Sequence, residues 1–142
     1  MKKLVFAFGV ALVAGSLLAA TTRQTYRDAQ GRNMGSASTD SSGRTTYRDA
    51  QGRNRGSSTV SGNRTTYRDS QGRNQGSATT DSSGNTTYRD SQGRMTGTAR
   101  TDSTGRVTYR DAQGRLQGTA TKDSSGRVTY RDAQGRLQGT RK

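Results

Sequence analysis

The stretch "GRVTYRDAQGRLQGTATKDSS", Gly105–Ser125, decides how the chain is read, because it holds two short alternating segments and two turn signals. Asp111 and Gly114 in "DAQG" stand at the first and fourth positions of a type I turn. There the carboxylate caps backbone N–H groups and the glycine accepts a left-handed conformation. In the segment before it, Val107 and Tyr109 point one way while Arg106, Thr108 and Arg110 point the other. In the segment after it, Leu116, Gly118 and Ala120 share a side, opposite Arg115, Gln117, Thr119 and Thr121. A second turn signal, Asp123–Gly126 in "DSSG", then begins the next unit. A type I turn followed by a left-handed glycine is a common hairpin connection, so the unit reads as strand, turn, strand, turn.

This unit recurs along the chain. Tyrosines fall at positions 26, 47, 67, 88, 109 and 130, spaced 21, 20, 21, 21 and 21 residues apart. A fixed period marks a repeat architecture in which each unit stacks on its neighbours. All ten aspartates begin D-x-x-G: Asp28, Asp49, Asp69, Asp90, Asp111 and Asp132 in "DAQG" or "DSQG", and Asp40, Asp81, Asp102 and Asp123 in "DSSG" or "DSTG". The single 20-residue spacing comes from "VSGNR", where Gly62-Asn63 can serve as a two-residue hairpin turn. The expected fold is all-β: tandem β-turn-β repeats of about 21 residues forming an antiparallel meander or a β-solenoid. Turn chemistry favours hairpins, while the period suits both forms. Register between strands is not fixed by the letters.

Residues 1–20 differ from the rest. Lys2 and Lys3 precede the 17-residue apolar run "LVFAFGVALVAGSLLAA", which ends in small residues. This is the pattern of a secretory signal peptide, with cleavage expected after Ala19 or Ala20. The alternative is an uncleaved anchor, for which 17 residues lies at the lower limit of a spanning helix. Residues 21–142 form the six-unit array. They carry 13 large apolar side chains: the six tyrosines with Met34, Val60, Met95, Val107, Leu116, Val128 and Leu137. That is too few for an ordinary globular core, so either the chain is disordered alone or backbone ladders, side-chain stacking and assembly carry the order. The residue after each "GR" runs from Asn33, Asn54 and Asn74 to Met95, Leu116 and Leu137. The residue two before tyrosine runs from Thr45, Thr65 and Thr86 to Val107 and Val128. The C-terminal half is therefore expected to be the better ordered.

The chain has no histidine, cysteine or glutamate. Zinc sites, Cys/His dyads and Ser-His-Asp triads are excluded, and every aspartate belongs to a turn. No enzyme, cofactor, metal site or small-molecule substrate is expected. A regular arginine display remains. One set follows tyrosine (Arg27, Arg48, Arg68, Arg89, Arg110, Arg131) and another follows the turn glycine (Arg32, Arg53, Arg73, Arg94, Arg115, Arg136). Guanidinium groups match phosphate and sulfate bidentately, and a periodic basic surface suits polyanions. The competing reading is that arginines keep an edge-rich sheet soluble and pair with turn aspartates.

At "GRVTYRDAQGRL" the sequence resembles the YD repeats of Rhs-type bacterial surface and toxin-delivery proteins, through Gly126, Tyr130, Asp132, Gly135, Arg136 and Leu137, and again from Gly105 through Leu116. The tyrosine that directly precedes the aspartate in that family is replaced by Arg131 and Arg110. The resemblance implies a long β-sheet that curls into a shell. A weaker, compositional similarity is to curli-type functional amyloid subunits. It rests on Gln30, Gln51, Gln71, Gln92, Gln113 and Gln134, one per repeat as a glutamine ladder requires. These readings converge on a secreted protein of the cell surface, matrix or periplasm with a structural or adhesive role. Its expected partners are lipopolysaccharide, extracellular DNA or acidic glycans. The alternatives are a self-associating, fibre-forming subunit and a disordered basic chain that orders on binding.

Overall fold

The computed structural model describes residues 22–142, so the segment 1–20, read from sequence as a signal peptide, lies outside the described residues. Among the described residues twelve strands follow one another without a helix: β1 Thr22–Asp28, β2 Asn33–Thr39, β3 Arg44–Asp49, β4 Asn54–Ser61, β5 Arg64–Asp69, β6 Asn74–Thr80, β7 Asn85–Asp90, β8 Met95–Thr101, β9 Val107–Asp111, β10 Leu116–Lys122, β11 Val128–Asp132 and β12 Leu137–Arg141. Each pairs antiparallel with the next, and β12 pairs with β1, closing the sheet into a barrel. Of the two forms open from sequence, the meander is the one adopted; its closure was not legible in the letters.

The turns follow the expected chemistry. At Asp111–Gly114 the glycine N–H donates to the Asp111 carbonyl at 3.0 Å, and the Asp111 N–H donates to the Arg115 carbonyl at 2.9 Å. The Asp111 carboxylate accepts from the Gln113 and Arg115 backbone amides, both at 2.9 Å. The shortened connection is a two-residue loop: Ser61 pairs with Arg64, leaving Gly62 and Asn63 to reverse the chain.

Register places the tyrosines and the smallest residues on one face. Tyr109 stands opposite Gly118 on one side and Ala99 on the other. Tyr47 stands opposite Gly56 and Ala37, and Tyr130 opposite Gly139 and Ala120. A large ring beside a small residue is how a small barrel fills its interior. Ala99, Val107, Ala120 and Val128 form a buried cluster against Tyr88, Tyr109 and Tyr130. The opposite face of the strands carries mainly Ser, Thr and Arg, the reverse of the apolar outer band of a membrane-spanning barrel.

A bulge recurs in every hairpin after a "D-x-Q-G" turn and corrects one expectation. Leu116 pairs with Arg110 but Gly118 pairs with Tyr109, so Gln117 is the extra residue. Leu116 thereby leaves the side of Gly118 and Ala120 and lies exposed beside the arginines. The glycine after each bulge is required by close approach. A Cβ on Gly118 would sit 2.2 Å from the Arg131 carbonyl oxygen, and Gly118 has φ +158°. Equivalent contacts of 2.2–2.5 Å occur at Gly35, Gly56, Gly76, Gly97 and Gly139.

Closure repeats the internal register. Tyr26, Arg27 and Asp28 pair with Arg141, Thr140 and Gly139, as Tyr130, Arg131 and Asp132 pair with Ala120, Thr119 and Gly118. Thr25 and Lys142 also exchange backbone hydrogen bonds of 2.7 and 3.1 Å. The difference is that Arg141 takes the place of alanine.

Replacing Gly118 with alanine is expected to destabilise the barrel by about 2 kcal/mol or more, by backbone collision and strain. Denaturant unfolding measures it, with Gly114→Ala as the comparison, since Gly114 meets no neighbour within 4 Å and only its φ of +80° is opposed. Because the apolar cluster spans β8–β11, amide hydrogen exchange is expected to be slower there than in β1–β4.

Candidate functional site: the arginine end of the barrel

Successive strands alternate direction, so every connection from an odd strand to the following even strand falls at the same end. Those six connections are the "D-x-Q-G" turns. The twelve arginines singled out from sequence flank these turns, which brings them all to one rim. All are exposed.

The two sets are held differently. The arginine after tyrosine reaches over its turn: Arg27, Arg48, Arg68, Arg89, Arg110 and Arg131 donate through Nη1 to the turn glycine carbonyl at 2.8–2.9 Å. The arginine after the glycine turns back on its aspartate. Arg32, Arg53, Arg73, Arg94, Arg115 and Arg136 donate through Nε to the Asp Oδ2 at 2.7–2.9 Å. Their side chains stay 74–76% exposed while the aspartates are only 12–24% exposed. Each guanidinium is thus oriented yet open to solvent. With Arg55, the bulge residue of β4 at the same end, thirteen cations stand against six carboxylates and leave this rim with a surplus of positive charge.

The six glutamines do not build a ladder within strands. They lie in the turns, where Gln30, Gln51, Gln71, Gln92, Gln113 and Gln134 accept long contacts of 3.2–3.5 Å from the Nη2 of the following arginine. The opposite rim is less regular. It holds the "DSSG" and "DSTG" turns, the Gly62-Asn63 loop, and Asn85 in place of one arginine; Asn85 Nδ2 donates to Asp81 Oδ2 at 3.1 Å.

Sequence reasoning overlooked the barrel's inner cation. Arg141 bonds to the Tyr26 hydroxyl, and its charge is felt at Tyr47, Tyr109 and Tyr130. Comparing "QGTA" in the fifth repeat with "QGTR" in the sixth was the available signal. Burial raises the tyrosines: Tyr26 and Tyr130 are pushed up to about 12, and Tyr67 and Tyr88 rise further. At Asp111 partial desolvation pushes the carboxyl up, but the Arg115 amide, the Arg115 side chain and the Gln113 amide together hold it below its ordinary value. At Asp90 the Arg94 side-chain bond is the largest influence, with the same net direction.

No family model matches the chain, and no curated protein matches it. Among solved structures it is similar to BamB from Moraxella catarrhalis at 12% identity, over 77% of this chain and 56% of that one, with a TM-score of 0.30. A likeness that slight carries no argument about this chain.

Both ends of the pH scale are expected to unfold the barrel. Folded carboxylates below their unfolded value stabilise above about pH 4, and that contribution is lost as pH falls through the depressed folded values. Tyrosines raised in the fold stabilise fully below about pH 10. Their contribution disappears as pH rises through about 12 at Tyr26 and Tyr130. Tyrosinate absorbance and circular dichroism followed together should change together; phenols ionising near their ordinary value with the β signal intact would contradict the buried arrangement.

Proposed function

We propose that this chain is a secreted, non-enzymatic β-barrel with a structural or adhesive role at the cell surface or in the matrix, and that its arginine end holds polyanions such as lipopolysaccharide, extracellular DNA or acidic glycans. The observation that carries this reading is the gathering of the twelve arginines that flank the "D-x-Q-G" turns at one rim, each oriented by a hydrogen bond yet exposed. Arginine forks match phosphate and sulfate, and a ring of them lets several weak contacts act together. The resemblance of "DAQGRL" to surface-protein repeats supports the same setting.

A second reading, self-assembly, draws on the closure seam. Three residue pairs join β1 to β12, whereas five join β10 to β11. Opening this seam gives two edges of matching register, with which a second copy can pair as the chain pairs with itself.

Duplex DNA and heparin, titrated against the Thr21–Lys142 chain at rising salt, test the first reading. The logarithm of affinity should fall linearly with the logarithm of salt concentration. Changing Arg94, Arg115 and Arg136 to asparagine should keep the turns, since Asn85 already serves Asp81 in this way. It should weaken binding at least about tenfold and shallow the DNA slope by roughly 0.9 for each phosphate no longer neutralised. Equal weakening by Arg44→Asn, Arg106→Asn and Arg127→Asn, at the other rim, would reduce the effect to diffuse basic charge. Fibres in electron micrographs, with β signal only in the assembled material, would favour the second reading. A β signal arising only with polyanion would favour the disordered chain.

A further inference from the structure

The arginine end is uneven around its circumference. Met95, Leu116 and Leu137 open β8, β10 and β12 directly after Arg94, Arg115 and Arg136, and they pair with Arg89, Arg110 and Arg131. They remain 43%, 40% and 39% exposed, and Met34, at the same end on β2, is 53% exposed. Since β12 and β2 both flank β1, these side chains occupy one continuous arc of the rim. On β4 and β6 the residue after the turn arginine is Asn54 or Asn74.

Folding gives no reason for the apolar arc. The asparagine at this position helps the bulge: Asn33, Asn54 and Asn74 accept the N–H of Gly35, Gly56 and Gly76 at 2.9–3.1 Å. Methionine or leucine cannot accept that bond and leaves apolar surface in water instead. Among the described residues, four of the five exposed large apolar side chains lie at this one end.

Resting on the reading that the arginine end binds anions, we propose that this arc is a membrane-docking edge. The barrel meets an anionic lipid bilayer rim-first, tilted so that Met34, Met95, Leu116 and Leu137 enter the boundary between headgroups and acyl chains. The neighbouring arginines stay at the level of the lipid phosphates. Arginine and apolar side chains at one edge are the pairing such an interface selects, with aliphatic stems buried and charged heads in the headgroup layer. The rim of a barrel is a ring, so a flat charged surface engages more of its turns at once than a linear polymer does. A soluble polyanion supplies charge but no apolar phase, and leaves the arc unused.

The test uses the Thr21–Lys142 chain, within which the whole barrel closes. Its binding is measured to vesicles of phosphatidylcholine alone, to vesicles with phosphatidylglycerol added, and to duplex DNA. The triple variant Met95→Asn, Leu116→Asn, Leu137→Asn introduces the residue that the first three repeats already carry there, so its fold should persist, as circular dichroism will show. Expected are binding to the anionic vesicles well above that to the neutral ones, a loss of about 10- to 100-fold in the triple variant, and unchanged affinity for DNA. Conversely, Asn54→Leu with Asn74→Leu should tighten vesicle binding. A folded triple variant that binds anionic vesicles as well as the parent overturns the docking edge while leaving the arginine reading intact. A parent chain that binds neither DNA nor vesicles overturns both.

Discussion

The barrel depends on a close approach between two backbones. In each repeat one glycine lies against the carbonyl of the arginine that follows a tyrosine, as Gly118 lies against Arg131, with no room for a Cβ. That contact sits at the bulge, and the bulge sets the register that brings the tyrosine over the glycine on the hairpin partner. Without it, a one-residue slip would exchange the inner and outer faces. Six tyrosines can then serve as the main interior mass of a chain poor in leucine and isoleucine, because glycine and alanine leave the space they fill.

How much of this was legible depended on whether a feature was local. The turns were legible because Asp and Gly have roles defined within four residues, and even the exception at Gly62-Asn63 could be read as a two-residue loop. The strand content and the inward side of Val107 and Tyr109 were legible from alternation. The side taken by Leu116 was not, since the extra residue Gln117 is visible only once the partner strand is present. Closure was further out of reach. It comes from twist accumulated over twelve strands, and no single residue announces it. The arginine positions could be read, but their gathering at one rim follows from the hairpin order rather than from their spacing.

Closure also changes what the arginines are needed for. An open meander has two edges, and cationic side chains are a usual protection against edge-to-edge pairing. In the closed barrel β1 and β12 cover each other, with Arg141 reaching inward to Tyr26 instead of outward as an edge guard. Edge protection therefore cannot explain an arginine on every hairpin. Local pairing explains part of the display, since six arginines answer six half-buried aspartates across the turns.

The other six are harder to assign to the fold. Their bond is to a glycine carbonyl, a neutral acceptor at an exposed turn, and a neutral donor such as an amide makes the same bond without adding charge. The "DSSG" and "DSTG" turns at the opposite rim form the same backbone bonds, 2.9–3.0 Å from the Asp N–H to the carbonyl four residues on, with no arginine directly before the aspartate. Turn formation thus leaves the charge of Arg27, Arg48, Arg68, Arg89, Arg110 and Arg131 unaccounted for. A surplus kept at six positions at one end, three of them paired with exposed Met95, Leu116 and Leu137, is the pattern expected of a surface that meets something outside the molecule.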